Sequence, residues 1–246
     1  MPSDALDLSR RAHPSELPEW MDKPCGYAEF RDCLRDLEQV NRIVRTYPPT
    51  LRWLRQFARA KDGLANNNPL HIVDVGCGGG DMLRRIEAWA RTHQVAVKLT
   101  GIDLNPHAGQ AARAFTANSS RIAWITGDAF SYVPEIPIDV VISSLFTHHL
   151  PDTEIVRFLE WMESVTVRGW FINDLHRERM PYYGFRALAW LMHWHRFVRH
   201  DGPVSIRRSF SVDDWQGYAA AAGLRAEDVR IRTARPARLC VGRVKA

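Results

Sequence analysis

The chain has 246 residues, 46% of them hydrophobic, 25% charged and 10% aromatic, with a formal net charge of +5. That composition excludes disordered and fibrous proteins, and no apolar run approaches the ~18 residues of a membrane-spanning helix. Cys25, Cys33, Cys77 and Cys240 form no C-x-x-C pair, which argues against a disulfide framework or a zinc site and fits a reducing cytoplasm.

The N-terminal stretch MPSDALDLSRRAHPSELPEW lacks an apolar h-region, so no secretory leader is expected. Residues 1–28, rich in Pro, Ser and charge, read as a loosely ordered, flexible arm. Over residues 29–46 the apolar side chains Phe30, Cys33, Leu34, Leu37, Val40, Ile43 and Val44 recur at three- and four-residue steps, the signature of one buried helical face. Pro48-Pro49 separates this helix from a second one carrying Leu51, Trp53, Leu54 and Phe57, and LANNNP punctuates the chain before the first strand. These segments make a helical cap over residues 29–66.

From Leu70 strands and helices alternate. LHIVDV is a strand and MLRRIEAWA a helix; VAVKLTGIDL is a strand, and Asn105-Pro106 opens the helix AGQAARAF. RIAWITGD and IDVVISSL are the third and fourth strands, DTEIVRFLEWME is a helix with Asp152 as its N-cap, and VRGWFIND is the fifth strand. Apolar strands joined by helices predict an α/β, Rossmann-like doubly wound sheet, whose ligands bind beyond the carboxyl ends of the strands. An insertion at about 177–210 follows, with an aromatic-rich helix over residues 183–198. The segment SVDDWQGYAAAAGL reads as a helix capped by Ser211 and stopped at Gly223. RAEDVRIRTA and ARLCVGRV close the chain as an antiparallel pair. The domain proper spans 67–246.

The strongest chemical signal is Asp74-Val75-Gly76-Cys77-Gly78-Gly79-Gly80-Asp81, between the first strand and its helix. Its glycines let the backbone approach a ligand closely, but the spacing is G-x-G-x-G, not the G-x-G-x-x-G of dinucleotide binders. Asp81 at the helix mouth would repel a pyrophosphate, so a ligand with a cationic amino-acid tail fits better. Asp103 ends the second strand, 23 residues after Gly80, where a carboxylate can accept both ribose hydroxyls of an adenosine. Asp128 ends the third strand, where an acid and its neighbouring amides can read an adenine amine.

These four strand ends resemble the motifs of class I S-adenosylmethionine-dependent methyltransferases: DVGCGGG, GIDLNP, TGDAF and DVVISSLFTHHL, in order. The resemblance covers residues 70–175 and implies S-adenosylmethionine as methyl donor, a seven-stranded, mostly parallel sheet with one antiparallel strand, and a set of cofactor residues. Asp74 with Gly76, Cys77, Gly78 and Gly80 would hold the methionine portion. Asp103, with Leu104 and Asn105 beside it, would hold the ribose, and Asp128, Ala129 and Phe130 the adenine. Ser143, Ser144 and Leu145 would line the floor near the sulfonium. From residue 30 onward DLEQVNRIVRTYPPTLRWL, the HHL after strand four and NDLHRERMPYYGFRAL resemble a bacterial subgroup related to ubiquinone-type quinol methylases. Its members accompany type III polyketide synthases and methylate phenolic lipids.

A phenol oxygen benefits from a general base near neutral pH. His148 and His149 follow strand four and His176 follows strand five; the expected base is His149 or His176, oriented by Asp174. A His/His/His/Asp metal site is the competing reading. Asn173-Asp174 shares residue types with the magnesium site of catechol methyltransferases, but order and spacing do not match, and no metal is expected. Tyr182, Tyr183, Phe185, Arg186 and the carboxylate-binding candidate Arg207, with Arg208 beside it, are the expected acceptor contacts of a lid. An interfacial helix touching a membrane surface is an alternative reading of the insertion.

The expected reaction is O-methylation of a small hydrophobic phenol, resorcinol or quinol in secondary metabolism. The runner-up is C-methylation of a benzoquinol. Residues 176–246 carry a net +8 against −3 for residues 1–175, which raises RNA methylation as a third reading. The absence of [DNS]-P-P-[YFW] after strand four and of an RNA-binding module speaks against a nucleic-acid partner. A monomer or homodimer is expected.

Overall fold

The computed structural model describes residues 6–59 and 69–245; residues 1–5 of the arm and most of the LANNNP segment lie outside the described residues. Two N-terminal helices, α1 (Tyr27–Ile43) and α2 (Tyr47–Arg59), precede the sheet. Pro48 and Pro49 do not separate them but sit in the first turn of α2, where a missing N–H costs no intrahelical bond.

The sheet comprises β1 (Leu70–Val75), β2 (Val97–Asp103), β3 (Ala123–Thr126), β4 (Ile138–Ser144), β5 (Thr166–Leu175), β6 (Val229–Ala234) and β7 (Arg238–Val244). They lie in the order β3-β2-β1-β4-β5-β7-β6. The first five are parallel, and β7 runs antiparallel to both β5 and β6. The helices α3 (Asp81–Thr92), α4 (Pro106–Phe115) and α5 (Asp152–Val165) are the crossovers of the parallel strands; α8 (Val212–Ala221) precedes β6.

Alternation along each strand splits the core into two layers. Val73, Val75 and Val141 pack with α5 and α8 residues such as Ile155, Phe158 and Trp215. Leu70, Ile72, Val140 and Ile142 face the other side, against Leu54, Leu83 and Ile86 of α2 and α3. A strand with both faces buried carries apolar residues on both, which is why LHIVDV shows no polar alternation; its two polar residues, His71 and Asp74, are buried as well.

The helix start signals hold at α4, where Asn105 Oδ1 accepts from His107 N at 3.0 Å, and at α8, where Ser211 and Asp214 form a capping box. At α5 the expectation fails. Pro151 is the N-cap, and Asp152, the first helical residue, accepts instead from Arg11 Nη1 (2.6 Å) and Tyr218 OH (2.8 Å).

The insertion is not one helix over 183–198 but two, α6 (Arg179–Leu191) and α7 (Arg196–Arg208). The chain turns at His193, with φ of 51°. Two α1 side chains hold the turn: Gln39 Oε1 accepts from Trp194 Nε1 at 2.8 Å and Asp36 Oδ2 accepts from His195 N at 2.6 Å. The described part of the N-terminal arm, expected as loosely ordered, is laid along α7 and the turn after β4. The Arg11 guanidinium donates to the carbonyls of Arg208, His148 and Leu150, and Asp201 accepts from Trp20 N and Met21 N. Backbone carbonyls at the ends of elements need donors, and the arm supplies them.

Candidate active site

The loop from β1 to α3 passes through three left-handed glycines, Gly76, Gly78 and Gly80, at φ of 71°, 49° and 75°. A Cβ at Gly76 would lie 2.4 Å from the Phe146 ring, and one at Gly80 2.2 Å from Trp124. Only glycine meets both the conformation and the space. Gly80 caps α3 and stands behind the cavity wall, whereas Gly76, Cys77 and Gly78 line it.

Asp103 closes β2 beside this loop. Its Oδ2 accepts from Gly78 N and its Oδ1 from Asn105 N, both at 2.9 Å, so the carboxylate is fixed with lone pairs to spare. Burial pushes its pKa up against the lowering effect of these amides. Asp74 is fully buried, and its Oδ1 has no hydrogen-bond partner among the described residues. Burial first, then the charges of Asp81 and Asp103, raise its pKa well above the ordinary carboxylate range. Asp81 is tied down by Asn41 Nδ2 (2.9 Å) and Tyr47 OH (2.8 Å) from the N-terminal helices.

Three carboxylates around a glycine loop, one of them orphaned, repel one another until a cation arrives. A ligand bearing an ammonium and a sulfonium fits that field; a pyrophosphate does not. At the end of β3, Asp128 caps the turn Ala129–Ser131 by accepting from Phe130 N at 3.0 Å, and Asp128, Ala129 and Phe130 line the cavity with Leu104 and Asn105. At the end of β4, Ser144 and Leu145 reach it, Ser144 Oγ as a buried hydroxyl without a partner among the described residues and Leu145 at φ of 56°. Ser143 does not reach the cavity; it points between strands and donates to the Val75 carbonyl at 2.9 Å, because successive strand residues face opposite sides.

The cavity has a volume of about 1000 Å³ and continues past the glycine loop into an apolar chamber. Leu34 and Leu37 of α1, Phe185 and Leu188 of α6 and Val198 of α7 wall it. Of the expected acceptor contacts only Phe185 is in the lining. Tyr183 is exposed on the outer face of α6, Tyr182 packs edge-on against it, and Arg186 stacks over the Tyr182 ring. Arg207 lies beneath the arm, its carbonyl accepting from Ala12 N. These side chains fall on the helix faces turned away from the chamber.

The polar end of the chamber is the turn Thr147–His149 after β4. Asp174 accepts from Thr147 Oγ1 (2.6 Å), His148 N (3.1 Å), His148 Nδ1 (2.7 Å) and Leu175 N (2.7 Å). Burial opposes its charge, but His148 and these donors hold its pKa far below the ordinary value. Asp174 therefore orients His148, not His149 or His176 as expected from sequence. His149 Nδ1 lies 3.1 Å from Asp22 Oδ1 instead. Despite burial, Glu19 and Asp22 raise the His149 pKa, while Arg208 works the other way. His176 is absent from the cavity wall and pairs through Nδ1 with Glu178 at 3.1 Å. Asn173 spends its amide on Thr46 O and Thr50 Oγ1.

Two contributors escaped the sequence reading of the site, and a third, Arg208, was expected in another role. Glu19, 3% exposed, and Asp22 come from the arm, and the fully buried Arg208 of α7 donates to the His148 carbonyl at 3.1 Å and to Asp22 Oδ2 at 3.0 Å. Neither acid carries a periodicity or motif signal, while Arg208 was legible only as one of a basic pair.

Residues 72–169 match the family described as Methyltransferase domain. The trans-aconitate 2-methyltransferase of Streptomyces avermitilis is 29% identical over 106 residues, 42% of this chain and 37% of the relative. The ubiquinone biosynthesis O-methyltransferase of Leptothrix cholodnii is 28% identical over 174 residues, 68% of this chain and 66% of the relative. The chain thus spans less than two thirds of either relative's length. The magnesium protoporphyrin IX methyltransferase of Synechocystis PCC 6803 superposes with a TM-score of 0.53 at 15% identity, covering 92% of this chain and 90% of that one. A plantazolicin methyltransferase superposes with a TM-score of 0.59 at 16% identity, covering 89% and 93%.

Residues 72–169 thus carry a methyltransferase domain, and the described sheet has the Rossmann-like fold of S-adenosylmethionine-dependent methyltransferases. The superposed Synechocystis and plantazolicin enzymes hold S-adenosylhomocysteine; here Asp74, the glycine loop, Asp103 and the Asp128 turn line one acidic cleft.

Proposed function

We propose that the protein O-methylates a hydroxyl of a small hydrophobic aromatic molecule of the phenol, resorcinol or quinol type. The observation that carries this reading is the continuity of the cavity. The acidic cofactor cleft opens directly into a chamber walled by Leu34, Phe185 and Leu188, and the two imidazoles of His148 and His149 stand at the polar end. An apolar ring fits the chamber, and its hydroxyl is the part that seeks the polar end.

S-adenosylmethionine supplies a methyl group already activated by its sulfonium. The chain's task is alignment and management of the hydroxyl proton. Leu145 and Ser144, at the end of β4, set the floor on which donor and acceptor meet. Asp174 fixes the His148 ring, and Asp22 fixes that of His149, so both Nε2 atoms are presented at the chamber's polar end. The ubiquinone-pathway relative is by name an O-methyltransferase, which supports transfer to oxygen.

The test is methyl transfer from S-adenosylmethionine to a panel of resorcinols, hydroxyquinols, hydroxybenzoates and bulk tRNA, with the methylated atom assigned by NMR. An aryl methyl ether is expected. A ring C-methyl product, or label in RNA alone, overturns the assignment.

A further inference from the structure

Glu19, His148 and His149 present three ligand atoms that all lie within 4.8 Å of one another. His148 Nε2 is 3.7 Å from Glu19 Oε1, and His149 Nε2 is 3.8 Å from Glu19 Oε2. Both separations exceed a hydrogen bond.

Each ring is turned to face Glu19 by a carboxylate on its other nitrogen, Asp174 on His148 and Asp22 on His149. An Nδ1–H donated to a carboxylate leaves the lone pair on Nε2. Two nitrogen lone pairs and a buried carboxylate therefore face one small volume, an arrangement that is repulsive until something positive enters it.

The surrounding charge gives that positive group its size. Glu19, Asp22 and Asp174 bring three negative charges, and Arg208, with Nη1 3.4 Å from Glu19 Oε1 and 3.0 Å from Asp22 Oδ2, brings one positive. The balance with neutral imidazoles is −2. Two imidazole protons, or one divalent cation that displaces them, neutralise it.

We infer that Glu19, His148 and His149 form a binding site for a single first-row divalent cation at the polar end of the acceptor chamber. Two imidazoles and one carboxylate are a borderline donor set, suited to Zn²⁺ or Co²⁺ and poorly suited to Mg²⁺ or Ca²⁺. The outer carboxylates Asp174 and Asp22 are the partners that metal-bound imidazoles take on their second nitrogen. The 3.7 and 3.8 Å separations are to different oxygens of Glu19 and the three ligand atoms span up to 4.8 Å, so the set closes by roughly an ångström to accept metal–ligand bonds of ~2.0–2.2 Å. Three protein ligands leave coordination positions for a ligand from the chamber.

The use of the cation rests on the O-methylation reading. An acceptor hydroxyl oxygen that joins it loses its proton to water, keeps the electron pair, and faces the methyl donor as an oxyanion. The ligand imidazoles then accept no proton themselves.

The experiment uses the full chain, free of any histidine tag, stripped with chelator and titrated with Zn²⁺ by calorimetry and with Co²⁺ by visible absorption, without S-adenosylmethionine. We expect one equivalent and a Co²⁺ ligand-field spectrum that His149→Ala and Glu19→Gln abolish. Asp22→Asn should weaken affinity ~10–100-fold. Circular dichroism and S-adenosylmethionine binding establish that each variant is folded. No stoichiometric uptake, or uptake that persists in both ligand variants, overturns the site and leaves an adventitious ion only. Phenol methylation by metal-free protein with no Zn²⁺ uptake sinks the site and spares the proposed function; uptake with no phenol methylated does the reverse.

Discussion

His148 Nδ1 and Asp174 Oδ1 are 2.7 Å apart, joining the turn after β4 to the end of β5 across 26 residues of sequence. Both side chains are almost fully withdrawn from solvent, and Asp174 accepts three further donors at the same point. One carboxylate thus orients an imidazole and closes the sheet edge beneath the chamber.

Replacing that carboxylate separates the two roles. Asp174→Asn should lower kcat at least ~10-fold while leaving the Kd for S-adenosylmethionine unchanged, because no cofactor residue touches it. It should also cost about 3 kcal/mol of stability through the uncompensated buried network. Urea melts and calorimetric cofactor titration check both parts, and a parallel loss of cofactor affinity would contradict the assignment.

Asp103→Asn acts on the other half. The amide cannot accept from Gly78 N and Asn105 N and still offer two acceptors to a ribose. A loss of about 2 kcal/mol, roughly 30-fold in cofactor Kd, is expected. Acceptor binding, measured with product S-adenosylhomocysteine saturating, should not move.

Phe185 stands in the chamber wall and its ring also abuts Gly202 of α7. Phe185→Ala should raise KM for a hydrophobic acceptor about tenfold, by loss of apolar contact, with the cofactor Kd unaltered. An unchanged KM across acceptors of increasing chain length would place the acceptor elsewhere.

The cap of α8 gives a pH signature. Burial opposes ionisation of Asp214, but Ser211 N and Arg177, whose Nη1 lies 2.8 Å away, lower its pKa below 3.8. A folded-state pKa below the unfolded one adds stability above pH 3.8 that is lost as pH falls through the folded value. The Tm gap between wild type and Asp214→Asn should therefore be widest near neutral pH and narrow in acid. A gap that widens in acid would show that the pair does not stabilise the fold.

Much of the fold and the acidic, glycine-lined half of the candidate site were legible in the chain itself. Alternating apolar strands and helices define a parallel sheet, and such a sheet places Asp74, Gly76, Asp103 and Asp128 at one edge, because each stands at or just beyond the carboxyl end of its strand. Those are local signals: a period, a glycine spacing, a cap. The expected acceptor contacts were poorly legible, since Tyr182, Tyr183 and Arg186 share composition with Phe185 but not its helix face.

What the tertiary structure alone decided lies in contacts between distant segments. Asp22 reaches His149 across 127 residues, and Glu19 stands between both imidazoles. Asp36 and Gln39 of α1 break the insertion into two helices where its aromatic composition suggested one. The choice of His148 as the partner of Asp174 follows from which way a turn of three residues rolls at the end of β4. Sequence determines the chemistry available at each strand end through short-range backbone preference and periodicity. Which of those groups meet depends on packing between elements far apart in the chain, which leaves no periodic trace in either partner.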